Sequence, residues 1–301
     1  MELTHRAQRA GRLSGFLRGE MAMSTGLMNR LKWTGALLVN GERARTNYPV
    51  QPGDVICVVL DEPQPEYPAE DVPLRIIYED QHILVADKPA GMLIHPSPHR
   101  NTGTFANAVL GHYVRTGQHS AFHPATRLDR DTFGLVLLGK NSHVHQRLSD
   151  LHGQGLLIKT YHGLIFGAMP EHSGRIDLPI GRRPKPSLLR YIDPQGQPSL
   201  TEYQTIRQSG KWSLLSLRPV TGRTHQLRVH CAALGCPILG DPQYGSPESL
   251  ALSQELGLET QQLCAHRLVF PHPMTGENMD LVSGMEVWQE KTEENGDRRD
   301  S

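Results

Sequence analysis

The stretch "HPATRLDRDTFGLVLLGKN", residues 123–141, crowds Arg127, Asp129, Arg130 and Asp131 just ahead of an apolar run. A carboxylate in such a turn has two readings. It can be a solvated loop charge, as isolated loop carboxylates usually are. It can also be aimed into a working site, because a loop anchored by a buried strand is open while its scaffold is rigid. There it could attack an electrophile or move a proton. This segment alone leaves both open.

A second chemical cluster, "HQLRVHCAALGC", brings His225, His230, Cys231 and Cys236 close together in sequence and invites a metal reading. The spacing argues against it. His225 and His230 are five apart and share no helix face well. Cys231 and Cys236 are also five apart, outside the two-to-four spacing of zinc knuckles. Cys231 reads as a small buried residue and Cys236 as a turn residue, so no metal site is expected. Tyr161 in its apolar strand, Arg223 beside a helix start and Leu263 all have ordinary alternatives as a core aromatic, a surface arginine and plain core.

The elements that must hold these residues follow from pattern. "LRIIYED" and "HILVADKP" read as short strands with a turn at Glu79–Asp80–Gln81, and "GLVLLGK" as a buried strand. "NSHVHQRLSDLHGQG" reads as a helix capped by Asn141 or Ser142 and stopped at Gly153. "KTYHGLIFG" and "WSLLSLRPV" are strands, and the second leads into a helix over "TGRTHQLRVHCAALG" with Leu227, Cys231 and Leu234 on one face. Strands dominate without regular βαβ alternation, which predicts an α+β fold.

The chain of 301 residues has 29 Gly, 22 Pro and zero formal net charge. That suits many turns and short strands, and a large domain with a smaller one. The neutral total hides an uneven distribution. Residues 1–60 hold eight Arg/Lys against four Asp/Glu, whereas "DEPQPEYPAEDVP", 61–73, holds five acids and no base. Residues 61–73 therefore read as an extended, solvated linker between a unit over 1–60 and a main domain over 74–287, with 288–301 a disordered tail. Four dispersed cysteines, no apolar leader and no apolar run of membrane length point to a soluble cytoplasmic protein.

"RLDRDTFGLVLLGKN" resembles the signature His-Arg-Leu-Asp-x-x-Thr-Ser-Gly of the RluA-type RNA pseudouridine synthases. Arg127, Leu128, Asp129, Thr132 and Gly134 match, while Thr126 replaces the usual His and Phe133 the usual Ser. "DKPAGMLIHPS" (87–97), "KTYHGLIFG" (159–167), "LRPVTGRTHQLRVHCAALGCPILGDPQYG" (217–245) and "LCAHRLVFPHP" (263–273) resemble further motifs of that family in the expected order. In the last of them Cys264 stands where a His is usual. The resemblance implies a mixed, mainly antiparallel sheet with a catalytic cleft along one face. It implies Asp129 as nucleophile, Arg223 as the guanidinium that grips it, and Tyr161 stacking on the uracil and serving the proton step. Arg127, Leu128 and Leu263 would belong to the substrate pocket. Replacing a carbon–nitrogen glycosidic bond by a carbon–carbon bond transfers no electron and spends no phosphate, so no cofactor is expected. The target uridine would have to leave its stack.

Residues 23–59 resemble the S-four-type RNA-binding domain through "GALLVNG" and "GDVICVV". That implies a small α+β domain in which Arg18, Arg30, Lys32, Arg43 and Arg45 contact RNA phosphates. A second basic stretch, "GRRPKPSLLR" (181–190), offers Arg182, Arg183 and Lys185 for the same role, or is a solvated loop. The expected partner is ribosomal RNA or tRNA, with no membrane, no metal and a monomeric chain. Two rivals stay open: a non-catalytic RNA-binding or assembly factor that kept the fold, and a nucleoside or glycoside hydrolase using Asp129. The matched motifs hold no second well-placed carboxylate, which counts against the hydrolase.

Overall fold

A computed structural model describes residues 2–34, 36–60, 67–97, 100–184 and 187–288. Residues 61–66 of the expected linker, Lys185, and the tail from 289 lie outside these residues.

The N-terminal elements are β1 (Glu2–Arg6), β2 (Gly11–Arg12), α1 (Leu13–Gly19), α2 (Thr25–Thr34), β3 (Leu37–Val39), β4 (Glu42–Arg43), β5 (Pro49–Val50) and β6 (Val55–Val59). An antiparallel sheet runs in the order β1-β6-β3-β4. The alternation in "VICVV" buries Ile56 and Val58 on one face of β6. Leu13, Phe16 and Leu17 of α1 and Leu27, Met28 and Leu31 of α2 close a core over that face. Asn40 and Gly41 both take positive φ in the β3–β4 turn, as a tight hairpin of right-handed twist requires.

The remaining chain contributes β7 (Arg75–Glu79), β8 (Ile83–Lys88), α3 (Phe105–Arg115), β9 (His123–Pro124), β10 (Phe133–Gly139), α4 (Ser142–Gly153), β11 (Ile158–Phe166) and β12 (Ser173–Asp177). Then come β13 (Ile180–Arg182), β14 (Arg190–Ile192), β15 (Leu200–Gln208), β16 (Trp212–Pro219), α5 (Gln226–Ala233), α6 (Pro247–Glu255), β17 (Leu263–Pro271) and β18 (Asn278–Val282). A ten-stranded sheet runs β12-β15-β16-β11-β17-β10-β8-β7, with β18 on β17 and β9 on β10. Its pairings are antiparallel except β10 with β17, so the sheet is mixed and mainly antiparallel and the fold is α+β.

Every residue of β10 is buried, which is why its sequence is an unbroken apolar run. Asn141 caps α4 by accepting from the Val144 N–H. The helix α3 has no counterpart among the elements read from sequence; Thr104 and Asn107 close its start with reciprocal side-chain bonds. Trp288 packs edge-on against Trp212, so the packed body includes the residue expected to begin the tail.

The N-terminal unit rests against the larger body. Arg30 donates to the Ser142 hydroxyl at 2.7 Å, and Met274 packs on the N-terminal core. Between them lies a cavity of about 370 Å³, lined by His5 and Glu20 from one side and His82, His143 and Arg147 from the other.

Candidate active site

Asp129 sits in the turn between β9 and β10, with its side chain 28% exposed. The turn is held from three directions. The Thr126 hydroxyl accepts from the Leu137 N–H at 3.0 Å, so the residue in place of the family histidine ties the turn to β10. The ammonium of Lys88, fully buried, donates to the carbonyls of Pro89, Met92 and Arg130 at 2.8–2.9 Å. Burial pulls the Lys88 pKa down to about 7 against the opposing charges of Asp131 and Asp129. Gln261 donates to the Thr132 hydroxyl at 2.5 Å.

The parallel pairing of β10 with β17 brings this turn to Leu263 and Tyr161. Phe133 and Gly134 pair with Cys264 and Ala265, and Ala265 pairs on its other edge with Tyr161. Gly134 has φ +100°, and a Cβ there would lie 2.5 Å from the Ala265 carbonyl oxygen, so only glycine permits this approach. Phe133 and Cys264, two of the departures from the family pattern, are register partners and pack together with Val287. A larger residue on β10 faces a smaller one on β17.

Tyr161 and Leu263 are buried in one apolar cluster with Leu227, and Leu128 packs partly against it. The β11–β17 register shifts between Thr160 and Tyr161, a bulge that re-aims the tyrosine. Burial first, and then the charges of Asp129 and Cys264, push the Tyr161 phenol far above its ordinary pKa, so it stays neutral.

The guanidinium on Asp129 belongs to Arg228, which corrects the expectation for Arg223. Arg228, 5% exposed, donates from Nη1 to Asp129 Oδ2 at 3.2 Å. Nε and Nη2 grip the fully buried Asp241 at 2.7 and 2.9 Å, and Nη2 also donates to Gln243 Oε1 at 2.7 Å. Burial works against the charge on Arg228, but Asp241 and Asp129 outweigh it and raise its pKa. Arg223 instead is exposed and donates to the Pro198 carbonyl at 3.2 Å. The reason is local. α5 begins only at Gln226, whose side chain accepts from the Arg223 N–H and closes the turn, so Arg223 precedes the helix and Arg228 lies within its first turn.

His225, weighed in the sequence as a metal ligand, is a site residue. It precedes α5 with φ +56° and lies 3.9 Å from Asp129 Oδ2 through Nε2, while Nδ1 is 2.8 Å from the Tyr244 hydroxyl. That hydroxyl accepts from the Arg190 N–H at 2.8 Å, and the Tyr244 ring lies under the Arg228 guanidinium. His230 is fully buried between the Thr201 hydroxyl and the Leu178 carbonyl. Among the described residues no three His, Cys, Asp or Glu side chains converge to hold a metal.

Arg127 is exposed, and its charge helps depress the pKa of His95 after burial does. Arg18, Arg43 and Arg45 are exposed; Arg30 reaches Ser142 and Lys32 donates to Asn29. Arg182 and Arg183 are exposed beside the β13–β14 hairpin, and Lys185 lies outside the described residues. No helix among the described residues is long and apolar enough to cross a membrane.

A family model described as RNA pseudouridylate synthase matches residues 82–233. An uncharacterized RNA pseudouridine synthase of Bacillus subtilis, YjbO, is 38% identical over 264 residues, 87% of this chain and 91% of the relative. Ribosomal large subunit pseudouridine synthase D of Vibrio parahaemolyticus is 34% identical over 281 residues, 87% of this chain and 86% of the relative. Human RNA Pseudouridylate Synthase Domain Containing 4 shares the fold with a TM-score of 0.58 at 24% identity, over 71% of this chain and 89% of that one. With the motifs in order on a mixed, mainly antiparallel sheet, the chain belongs to the RluA-type RNA pseudouridine synthases, isomerases that convert uridine in RNA to pseudouridine.

Proposed function

We propose that the enzyme isomerises uridines of large-subunit ribosomal RNA, with Asp129 as nucleophile and Arg228, not Arg223, as its partner. The observation that carries this is Asp129 at the edge of the apolar cluster of Tyr161 and Leu263, held by a buried Arg228 whose other edge is fixed by Asp241. A carboxylate oriented by a guanidinium and backed by an apolar wall suits attack on a sugar carbon. The Asp129 carboxylate attacks C1′, and the C1′–N1 electrons leave with uracil. The uracil turns within the pocket of Leu128, Leu263 and Arg127. C5 then attacks C1′ and the carboxylate departs. Tyr161 takes the C5 proton on its oxygen as its own proton moves through water to N1. The product is an isomer of the substrate, and no co-reactant is needed.

Ribosomal RNA is favoured by the 34% identity to the Vibrio protein named for that substrate. The same reading makes the unit over 1–60 an S-four-like RNA-binding domain, joined by the 61–73 linker to the catalytic domain over 74–287. Arg18, Arg43 and Arg45, with Arg182 and Arg183, would lie along the RNA path. It also places the enzyme in the cytoplasm as a monomer. Cys57, Cys231, Cys236 and Cys264 are all free thiols, which supports a reducing compartment.

The test is tritium release from unmodified transcripts of large-subunit ribosomal RNA and tRNA carrying 5-tritiated uridine. Release from the ribosomal transcript that vanishes in Asp129→Asn supports the proposal. Release from tRNA alone moves the substrate. Release from neither leaves the non-catalytic RNA-binding factor, and accumulated free uracil points to a hydrolase.

A further inference from the structure

The geometry points to His225 as a positioning residue for Asp129, locked in one tautomer by Tyr244 and, through Tyr244, by the backbone of the basic hairpin. This rests on Asp129 being the nucleophile.

The tautomer is assigned from the hydrogen-bond partners. The Tyr244 hydroxyl accepts the Arg190 N–H, and among the described residues its other partner is His225 Nδ1. With the Arg190 N–H on one lone pair, the arrangement that uses the hydroxyl's one hydrogen within the site sends it to Nδ1. With Nδ1 an acceptor, the neutral ring carries its proton on Nε2, the nitrogen facing Asp129 Oδ2 at 3.9 Å. Arg228 donates to that same oxygen. Arg228 thus bonds Oδ2 while His225 Nε2 faces the same oxygen from beyond hydrogen-bond distance, and among the described residues Oδ1 receives no hydrogen bond. Oδ1 keeps its lone pairs free and is the oxygen presented for attack.

The backbone shows that this placement is imposed. A non-glycine residue at φ +56° is held in a left-handed conformation that L side chains rarely adopt. That strain sits one residue before α5, where it turns the imidazole toward the Asp129 turn. The groups facing His225 are Asp129, Arg228, Arg190, Asp241 and Tyr244. Burial first, and then Arg228 and Arg190, lower its pKa against the pull of Asp129 and Asp241, in keeping with a neutral donor. Since Arg190 belongs to β14, the hairpin and the nucleophile are linked by two hydrogen bonds, Arg190 N–H to Tyr244 and Tyr244 to His225, and by the 3.9 Å contact of His225 with Asp129.

The experiment compares His225→Gly, His225→Asn, Tyr244→Phe, the His225→Gly/Tyr244→Phe double variant and Asp129→Asn. Single-turnover tritium release and filter-binding affinity are measured from pH 5 to 9, on whichever of the two transcripts the wild type turns over. Glycine keeps the left-handed backbone while removing the imidazole, and asparagine tolerates that backbone and restores a shorter donor. His225→Gly is expected to slow release roughly 10- to 100-fold with RNA affinity nearly unchanged, and His225→Asn to recover part of that loss. Tyr244→Phe frees Nδ1 to take a proton, so the acid limb of its rate profile moves to higher pH. The double variant should be no slower than His225→Gly, because Tyr244 acts through His225. Wild-type rates in His225→Gly, or a rate loss matched by lost RNA affinity, overturn the proposal. If His225→Gly does not fold by circular dichroism, an unmoved acid limb in Tyr244→Phe overturns it. An active Asp129→Asn sinks the nucleophile assignment itself, whereas an inactive one beside a fully active His225→Gly removes only the role of His225.

Discussion

Arg228 meets Asp129 with one edge of its guanidinium while Asp241 holds the other, at 3.2 Å on the first side and 2.7 and 2.9 Å on the second. The two carboxylates are not equivalent. Asp241 is fully buried and fixes the plane of the group; Asp129 is part-exposed and faces the substrate side. One arginine thereby converts a structural ion pair into an orienting contact.

That geometry separates two arginines of one motif. Arg228→Lys should lose more than about 100-fold in single-turnover rate, since an ammonium cannot make the planar contacts to both carboxylates. Arg223→Ala should stay near the wild-type rate. Asp241→Asn leaves the buried guanidinium with only the part-exposed Asp129 as compensating charge and should destabilise the fold by roughly 3 kcal/mol. Tritium release and urea denaturation of the three variants check this; an Arg223→Ala protein as slow as Arg228→Lys would restore the sequence-based assignment.

Tyr161 separates stacking from proton transfer. Its phenol is held neutral by burial and by the nearby Asp129 charge. Tyr161→Phe keeps the ring in the apolar cluster and removes only the hydroxyl. Affinity for RNA should be retained while tritium release falls by about 100-fold or more, the usual scale of a lost proton-transfer group. Tyr161→Ala should weaken both. Equal release by Tyr161→Phe and the wild type would assign the proton step elsewhere.

The departures Phe133 and Cys264 read from sequence as two independent substitutions, yet they face each other in β10 and β17 and share one cluster. Phe133→Ser should cost about 3–5 kcal/mol through the cavity it leaves, and Cys264→His should overpack the same space. The double variant restores the family pairing and should be more stable than the sum of the single effects predicts. A double-variant cycle with strict additivity would show that the pair does not trade volume.

The same contrast explains what was legible beforehand. β10 and α4 announce themselves, because burial on both faces makes an unbroken apolar run and a cap needs an Asn just ahead of the helix. The helix over "QLRVHCAA" was also readable, but its apolar face left Arg228 beside Leu227 with no visible partner. What buries Arg228 is Asp241, contributed by a later loop. Likewise His225 gains its role from Tyr244, 19 residues on, and from the hairpin behind it. Local pattern encodes elements; the choice between Arg223 and Arg228 depends on where a distant carboxylate closes. The Gly134 approach to Ala265 follows the same rule, since a parallel pairing of remote strands leaves only a glycine as its trace.

Acid sensitivity should arise from histidines away from the catalytic turn. His143, 1% exposed on α4, has its pKa pushed down to about 4 by burial, then by Arg147 and His82; His5 and Glu20 line the adjoining cavity. His162 is likewise pushed down to about 4, by burial and then by His266, whose ring stacks on it at 3.7 Å. In the unfolded chain each would titrate near 6.5. Between those values the unfolded chain takes up protons that the native protein refuses. Stability is therefore full above about pH 6.5 and falls as the pH drops toward 4, by up to ~3 kcal/mol for His143 and less for the more exposed His162. Urea midpoints should decline from pH 7.5 to pH 4.5, and His143→Gln should flatten that decline by about half or more. His143→Gln/His162→Gln should flatten it further. Because the glutamines cannot take a proton, a decline as steep in the double variant as in the wild type would trace the acid sensitivity to carboxylates instead, and the two imidazoles would carry none of it.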